Sequence, residues 1–291
     1  MRLVTFTDAA GTRIGALDEA LSVLDLAAAD AALPRDMLAL IAAGPAALEA
    51  ARRAVPTAPV APDAVLLAPI PRPARNIFCV GKNYHEHAKE FAGSGFDATA
   101  KEVVPEAPVV FTKPPSSVIG PLVAIPAHLD PTHSTDYEGE IAVVIGTGGR
   151  GIAPQDAYAH VFGYTIVNDV TARTLQHKHR QWVLGKGIDG FCPMGPAILT
   201  AEEAGTPPRL KISTWVNGEL RQRAGIEDLI FDIPTLIATI SAGITLEPGD
   251  IIATGTPAGV GIGFQPPKFL ASADRVRIEV PGIGALENPV A

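Results

Sequence analysis

Residues 134–146 read STDYEGEIAVVIG. From Ile141 to Gly146 the stretch is apolar and rich in β-branched residues, the composition of a strand that enters a core. Asp136, Glu138 and Glu140 stand ahead of it, one acid at every second position. Side chains alternate faces along a strand, so Glu138 and Glu140 point to one side, roughly 7 Å apart at Cα. Like charges that close repel, and burying them unpaired is costly. Either something positive sits between them or the strand end is wet.

Working outward, NIFCVG (76–81), VVFTKPPSSVIG (109–120), GYTIVNDVT (163–171), GDIIATGTP (249–257), VRIEVPG (276–282) and GALENPV (284–290) read as further strands. LKISTWVNGELRQ (210–222) reads as two strands joined by Asn217-Gly218, a strong hairpin signal. Helices are fewer: KNYHEHAKEF (82–91), PQDAYAHVF (154–162), opened by a proline, and DIPTLIATISAG (232–243), ending at Gly243. Strands with scattered helices and no regular βαβα alternation predict an α+β fold around a mixed or antiparallel sheet or roll. At the N-terminus MRLVTF and RIGALD are short strands about a turn at Gly11, followed by helical character from Pro34 to Arg53. Prolines 56, 59, 62, 69, 71 and 73 then make an extended passage. We place a boundary there: a small N-terminal domain and linker over 1–70, and the main domain over 71–291.

The chain has 291 residues, 47% of them hydrophobic and 5% aromatic, with a net charge of −8. Such a chain has no general attraction to nucleic acid or to an anionic membrane. It holds no apolar run of transmembrane length, and MRLVTFTDAAGTRIG lacks the pattern of a secretory signal. Cys79 and Cys192 make no disulfide framework and read as structural. A reducing cytoplasm is the expected compartment.

Glu138 and Glu140, joined by Asp169 at the end of another strand, would form a hard oxygen site for Mg²⁺ or Mn²⁺, with Ca²⁺ also accommodated. The alternative is a solvated strand end whose acids pair with Arg173 or lysine. His87 and Glu90 lie three apart on a helix and can touch, which would orient the imidazole as a general base. A surface helix of mixed charge has the same spacing. Gly93 and Gly95 follow and would let this helix move as a lid, with GSGFDATAKEVVPEAP (93–108) a mobile loop. Lys186, among glycines and apolar residues, would supply positive charge to an anionic intermediate, or is an ordinary loop lysine. HKHR (177–180) reads as a solvated basic helix end. ATGTPAGVGIG (253–263) matches no nucleotide-binding pattern, though its amides and Thr254 or Thr256 could approach a small anion.

Taken in order, NYHEHAKE, DYEGEIAVVIG, GYTIVNDVTAR with LQ, GKGIDGFCPMGP and GDIIATGTPAGVG resemble the fumarylacetoacetate hydrolase family over residues 70–291. The resemblance implies a mixed β-roll, usually a homodimer, with a smaller variable N-terminal domain. It implies Mg²⁺ or Mn²⁺ on Glu138, Glu140 and Asp169, and a His87–Glu90 lid pair. It also implies a catalytic Lys186 and substrate contacts from Gln176 and Thr256. Thr174 departs from the pattern, since the family commonly has an acid there, and the segment from Gln176 to Lys186 is short. Candidate specificity residues fall in 91–107. The chemistry implied is metal-dependent hydrolysis of a C–C bond in an acylpyruvate or related β-diketo acid through an enolate. Here His87 would activate water while Lys186 and Gln176 hold the developing charge. Oxaloacetate decarboxylation, or isomerase, hydratase or lyase chemistry on a 2-keto acid, is the alternative at the same site.

Overall fold

The computed structural model describes residues 1–96 and 103–291. Strands β1 (Arg2–Asp8) and β2 (Gly11–Leu17) form a hairpin, and β3 (Val23–Asp25) pairs with β2. Three helices follow: α1 (Leu26–Ala29), α2 (Met37–Ala42) and α3 (Pro45–Ala54). Asp25 and Asp36 cap the first two by accepting from the Ala28 and Ala39 amides. The proline-rich passage contributes only a 3₁₀ turn and the short β4 (Val65–Leu66).

Next come β5 (Ile77–Gly81), α4 (His85–Gly93), β6 (Val109–Lys113) and β7 (Val118–Ile119). Strands β8 (Thr135–Asp136), β9 (Gly139–Ile145), β10 (Val161–Asn168) and β11 (Thr171–Ala172) lead into α5 (Arg173–His179) and α6 (Val183–Lys186). The chain continues through β12 (Cys192–Thr200), α7 (Ala201–Ala204), β13 (Lys211–Val216), β14 (Glu219–Gly225) and α8 (Ile233–Ser241). It ends with β15 (Ile251–Ala253), β16 (Arg275–Val280) and β17 (Gly284–Pro289).

The large sheet has the order β3-β2-β1-β12-β10-β9-β15-β5-β6. Just beyond β6, β7 pairs with β12 in parallel, so the sheet from β12 to β6 curls back on itself as a roll. A second antiparallel sheet, β14-β13-β16-β17, packs beside it. The fold is the mixed α+β roll expected. The N-terminal strands extend the same sheet through Arg2↔Leu199 and Leu3↔Ile198.

Both faces of β9 are covered, which explains its unbroken apolar run. Ile141, Val143 and Ile145 pack with Ile212, Ile278 and Leu286 of the second sheet and with Ile237 of α8. Ala142 and Val144 face Leu3, Leu26, Leu40 and Ile41 of the N-terminal segment. Each large apolar side chain so buried contributes about 2 kcal/mol.

Three expectations shift. The acids of 134–140 do not share one strand: β8 ends at Asp136, and β9 begins at Gly139. The helix expected over 82–91 starts three residues later, because Lys82 adopts φ 55° and Asn83 is held by the Phe231 and Thr254 carbonyls. Residues 154–160 form a 3₁₀ helix, and the ladder of β10 with β9 claims Val161. The hairpin at Asn217-Gly218 stands, with φ of 52° and 80° at its two centre residues. Of the loop expected over 93–108, residues 97–102 lie outside the described residues.

Candidate active site

Strand polarity builds the site. β10 and β15 both run antiparallel to β9, and β5 runs parallel to β15. The start of β9 and the ends of β10, β15 and β5 therefore meet at one rim. Glu138, Glu140, Asp169, Thr256 and Lys82 come from these four edges, far apart in sequence.

Glu138, Glu140 and Asp169 are buried and bring one carboxylate oxygen each to within 4.8 Å of one another. The Glu138 amide donates to Asn168 Oδ1 (3.0 Å), and the Asp169 amide donates to the Glu138 carbonyl (2.8 Å), which locks the two strand ends together. Lys186 Nζ donates to Glu138 (3.0 Å), Asp169 (2.6 Å) and Thr171 Oγ1 (2.8 Å). Lys113 Nζ takes the other oxygen of Asp169 (2.7 Å). Arg173 reaches Glu138 through Nη1 (2.7 Å) and Asp136 through Nε (2.9 Å).

The charges are unevenly matched. Burial alone would raise Glu138, but Lys186 and Arg173 outweigh it and hold its pKa at about 2. Glu140 goes the other way: burial, then Asp169 and Glu138, push it well above the carboxylate range. Its hydrogen bond among the described residues comes from the Gly255 amide (2.9 Å). Burial disfavours the Lys186 ammonium, yet Asp169 and Glu138 keep its pKa above the lysine value, so it holds its proton. Among the described residues, four carboxylates, counting Asp136, are thus met by three cations, Lys113, Arg173 and Lys186. The donor set, all oxygen and one positive group short, fits a hard divalent cation, and Glu138, Glu140 and Asp169 are the residues that would hold it.

Above this floor lies a narrow cleft lined by His87, Glu138, Glu140, Arg173, Gln176, Lys186 and Thr256, with Lys82, Phe91 and Trp182 at its walls. His87 Nδ1 is 3.1 Å from Glu90 Oε2. A carboxylate only accepts, so Nδ1 carries the proton and Nε2 is left with its lone pair. Glu90 Oε1 accepts from the Gly259 amide (2.9 Å), which ties α4 to the glycine-rich loop. A Cβ at Gly263 would stand 1.9 Å from Glu90 Oε1, so a larger residue there would displace the Glu90 carboxylate.

Six of the eight sequence-derived site residues line the cleft, and Glu90 and Asp169 stand directly behind His87 and Lys186. Two details differ from expectation. All three Lys186 donors are engaged by the protein, so this residue offers field more than a free hydrogen bond. Thr256 Oγ1 donates to the Gly139 carbonyl (3.0 Å) and accepts from Gln222 Nε2 (2.7 Å). The amides of 253–263 serve the protein's own carboxylates: Gly255 donates to Glu140, Gly259 to Glu90, and Gly261 and Ile262 to Asp136. Thr174 is exposed, so the missing acid there lies outside the charge cluster. His177 to Arg180 are exposed at the end of α5, and Cys79 and Cys192 are buried, as read from sequence.

Sequence reasoning passed over Lys113 and Gln222, and it offered Arg173 only as a partner for acids at a solvated strand end, whereas the pairing is buried. Arg173 is 1% exposed, and its Nη2 has no hydrogen-bond partner among the described residues. Buried donors are normally satisfied, so an open one on a cleft wall marks where a ligand acceptor fits.

The family model for the fumarylacetoacetate (FAA) hydrolase C-terminal region matches residues 76–291. The chain belongs to the fumarylacetoacetate hydrolase family. It is 54% identical over 225 residues to an oxaloacetate tautomerase of Bacillus subtilis (strain 168), covering 77% of this chain and 72% of that one. It is 41% identical over 275 residues to a mitochondrial oxaloacetate tautomerase of Homo sapiens, covering 92% and 83%. Among solved structures, a fumarylacetoacetate hydrolase from psychrophilic Exiguobacterium antarcticum superposes with a TM-score of 0.84 at 43% identity, over 100% of this chain and 99% of that one. Membership of the fumarylacetoacetate hydrolase family makes the chain an enzyme, and its buried Glu138, Glu140 and Asp169 could hold the divalent metal that enzymes of this family use. Among the described residues no helix is long and apolar enough to cross a membrane.

Proposed function

We propose that the protein interconverts the keto and enol forms of a 2-keto acid of the oxaloacetate class. One observation carries the reading: His87, Glu138 and Glu140 open onto a single cleft, backed by Glu90 and Asp169, in a chain similar to two oxaloacetate tautomerases. When bound, Mg²⁺ or Mn²⁺ supplies Lewis acidity toward the keto oxygen. His87 Nε2 removes a proton from C3, Glu90 stabilises the imidazolium, and the C–H electrons form the C2–C3 double bond. Negative charge arrives on the C2 oxygen, within the field of Lys186 and near the open Nη2 of Arg173. His87 then returns its proton to that oxygen. One C–H bond is lost, one O–H bond forms, and no co-reactant is needed. Phe91 and Trp182 keep bulk water from competing for the proton.

The C–C hydrolysis expected from sequence is the second reading, favoured by the likeness to the Exiguobacterium hydrolase. There the same His87 would deprotonate water rather than carbon. The deciding experiment follows enol absorbance with oxaloacetate and with acetylpyruvate, in excess Mn²⁺, and identifies the products. We expect fast enol–keto equilibration of oxaloacetate without stoichiometric pyruvate. Cleavage of acetylpyruvate to pyruvate and acetate, with no effect on oxaloacetate equilibration, would overturn the tautomerase reading.

A further inference from the structure

The general base is held from outside the cleft. Glu90 orients His87, and Glu90 Oε1 in turn accepts from the Gly259 amide (2.9 Å). The other side of Gly259 is held as well: its carbonyl accepts from Tyr137 Oη (2.7 Å). Gly259 adopts φ 105°, and a Cβ there would stand 1.9 Å from the backbone carbonyl of Arg221 on β14. Such an approach demands glycine, the residue whose backbone turns most freely. The carboxylate that orients the base thus hangs on a peptide that keeps its direction only while it is gripped.

Tyr137 and β14 supply the grip. Tyr137 lies between β8 and β9, fully buried in the core under the second sheet. Its hydroxyl is directed rather than free. Arg221 Nη1 reaches Oη (3.4 Å), so Oη accepts on that side and gives its own proton to Gly259. Arg221 is anchored in turn by Glu219 (2.9 Å) and by the Phe264 ring, 4.8 Å from its guanidinium carbon. Its neighbour Gln222 donates to Thr256 Oγ1 and to the Pro257 carbonyl (both 2.7 Å), so β14 holds the loop at two points. Among the described residues, none from β13, β14, β16 or β17 lines the cleft itself.

We propose that Tyr137, directed by Arg221, is a positioning residue for the His87–Glu90 pair. Its hydroxyl locks the Gly259 peptide, which occupies one oxygen of Glu90 and leaves the other to fix the His87 tautomer. The second sheet thereby sets the competence of a base it does not touch. The proposal rests on the reading of His87 as the base.

The test pairs a spectroscopic signature with kinetics. Histidine-ring ¹⁵N NMR of the Mg²⁺-loaded protein reports which ring nitrogen carries the proton, and the His87 signal is assigned by its loss in His87→Gln. Wild type should show His87 protonated at Nδ1, and Tyr137→Phe should show the two tautomers mixed. In the same variant kcat for oxaloacetate enolisation should fall about ten- to a hundred-fold, the range for a misplaced catalytic group, with KM and Mg²⁺ affinity within about twofold. In a Glu90→Gln background the same substitution should cost less than about twofold more, because both act through one chain of contacts. Arg221→Met, which leaves the buried ring untouched, should move the tautomer signal and kcat in the same direction by less. An unchanged His87 signal in both variants overturns the proposal. So does a loss undiminished by Glu90→Gln, or one that follows weakened Mg²⁺ binding, which would place the effect on the adjoining Glu138. A wild-type protein that speeds no enolisation, while Tyr137→Phe still frees the tautomer, would sink the tautomerase reading alone.

Discussion

Two charge clusters, one in the N-terminal hairpin and one in the roll, are built to opposite rules. In the N-terminal hairpin, Arg13 donates to Asp8 through Nη1 (2.7 Å) and Nη2 (2.6 Å), to Asp25 through Nε (2.7 Å), and to the Gly11 carbonyl (2.8 Å). Its ring of acceptors is complete, and the hydrogen bond from Arg13 holds Asp8 at about 2. In the roll, by contrast, Glu140 is pushed well above its usual range by burial and by two neighbouring acids, and Arg173 keeps an open donor. A satisfied cluster does structural work. An unsatisfied one, held in place by a rigid roll, is a site waiting for ligands.

The contrast can be broken most forcefully at Glu140. Glu140→Gln removes a repulsive charge and a metal ligand together. We expect turnover to fall on the order of a thousandfold or more, while the metal-free melting temperature stays level or rises. A large drop in that melting temperature would mean that Glu140 is structural after all. His87→Gln should cost about a hundredfold or more in turnover, with the affinity for Mn²⁺ within about twofold of wild type. A matching loss of metal affinity would remove His87 from the role of base.

Arg13→Met is the mirror experiment. It leaves Asp8 and Asp25 without their shared donor and should cost about 1–3 kcal/mol in denaturant unfolding, with KM and kcat of the folded enzyme unchanged. Altered kinetics would show that the N-terminal strands act on the site.

The smallest effect is in pH. A carboxyl whose folded pKa is raised contributes stability that is present below its unfolded value, about 4.3, and is lost as pH rises through the folded value. Glu140 is of this kind, so the metal-free protein loses that contribution toward neutral pH, and a divalent ion restores more. The gain in melting temperature on adding Mn²⁺ should therefore be larger at pH 8 than at pH 5.5. Asp8 is depressed, so its contribution is full above the unfolded value near 3.9 and is lost only as pH falls through about 2. The N-terminal cluster should be indifferent to the same pH change. An equal metal-induced gain at both pH values would contradict the assignment of Glu140.

What the sequence made legible was set by distance along the chain. Glu138 and Glu140 stand two apart at the start of β9, and His87 and Glu90 stand three apart at a helix turn, so local spacing already implied that each pair would lie together. Asp136 obeyed the same repeat but belongs to another strand, because β8 gives way before β9 begins. Its carboxylate serves Arg173, Gly261 and Ile262 instead. Lys113 and Gln222 carry no local signal. They reach the site only because the sheet curls and a second sheet docks, and no periodicity records either event. The strand-rich mixed fold was legible for the same reason the carboxylates were. The join of β1 to β12 was not, since it pairs residues about 200 positions apart.

Gln222 carries one further consequence. Its side chain accepts from the Gly139 amide, between two of the acids, and donates to Thr256 Oγ1 and the Pro257 carbonyl. A chain emerging from the ribosome acquires all three acids by Asp169, but acquires this clasp and its loop only much later. Until the final third has docked, the cation-binding groups exist without the brace that sets their spacing. Completion of the polypeptide is thereby written into the assembly of the catalytic centre, and a truncated product carries the ligands without the finished enzyme.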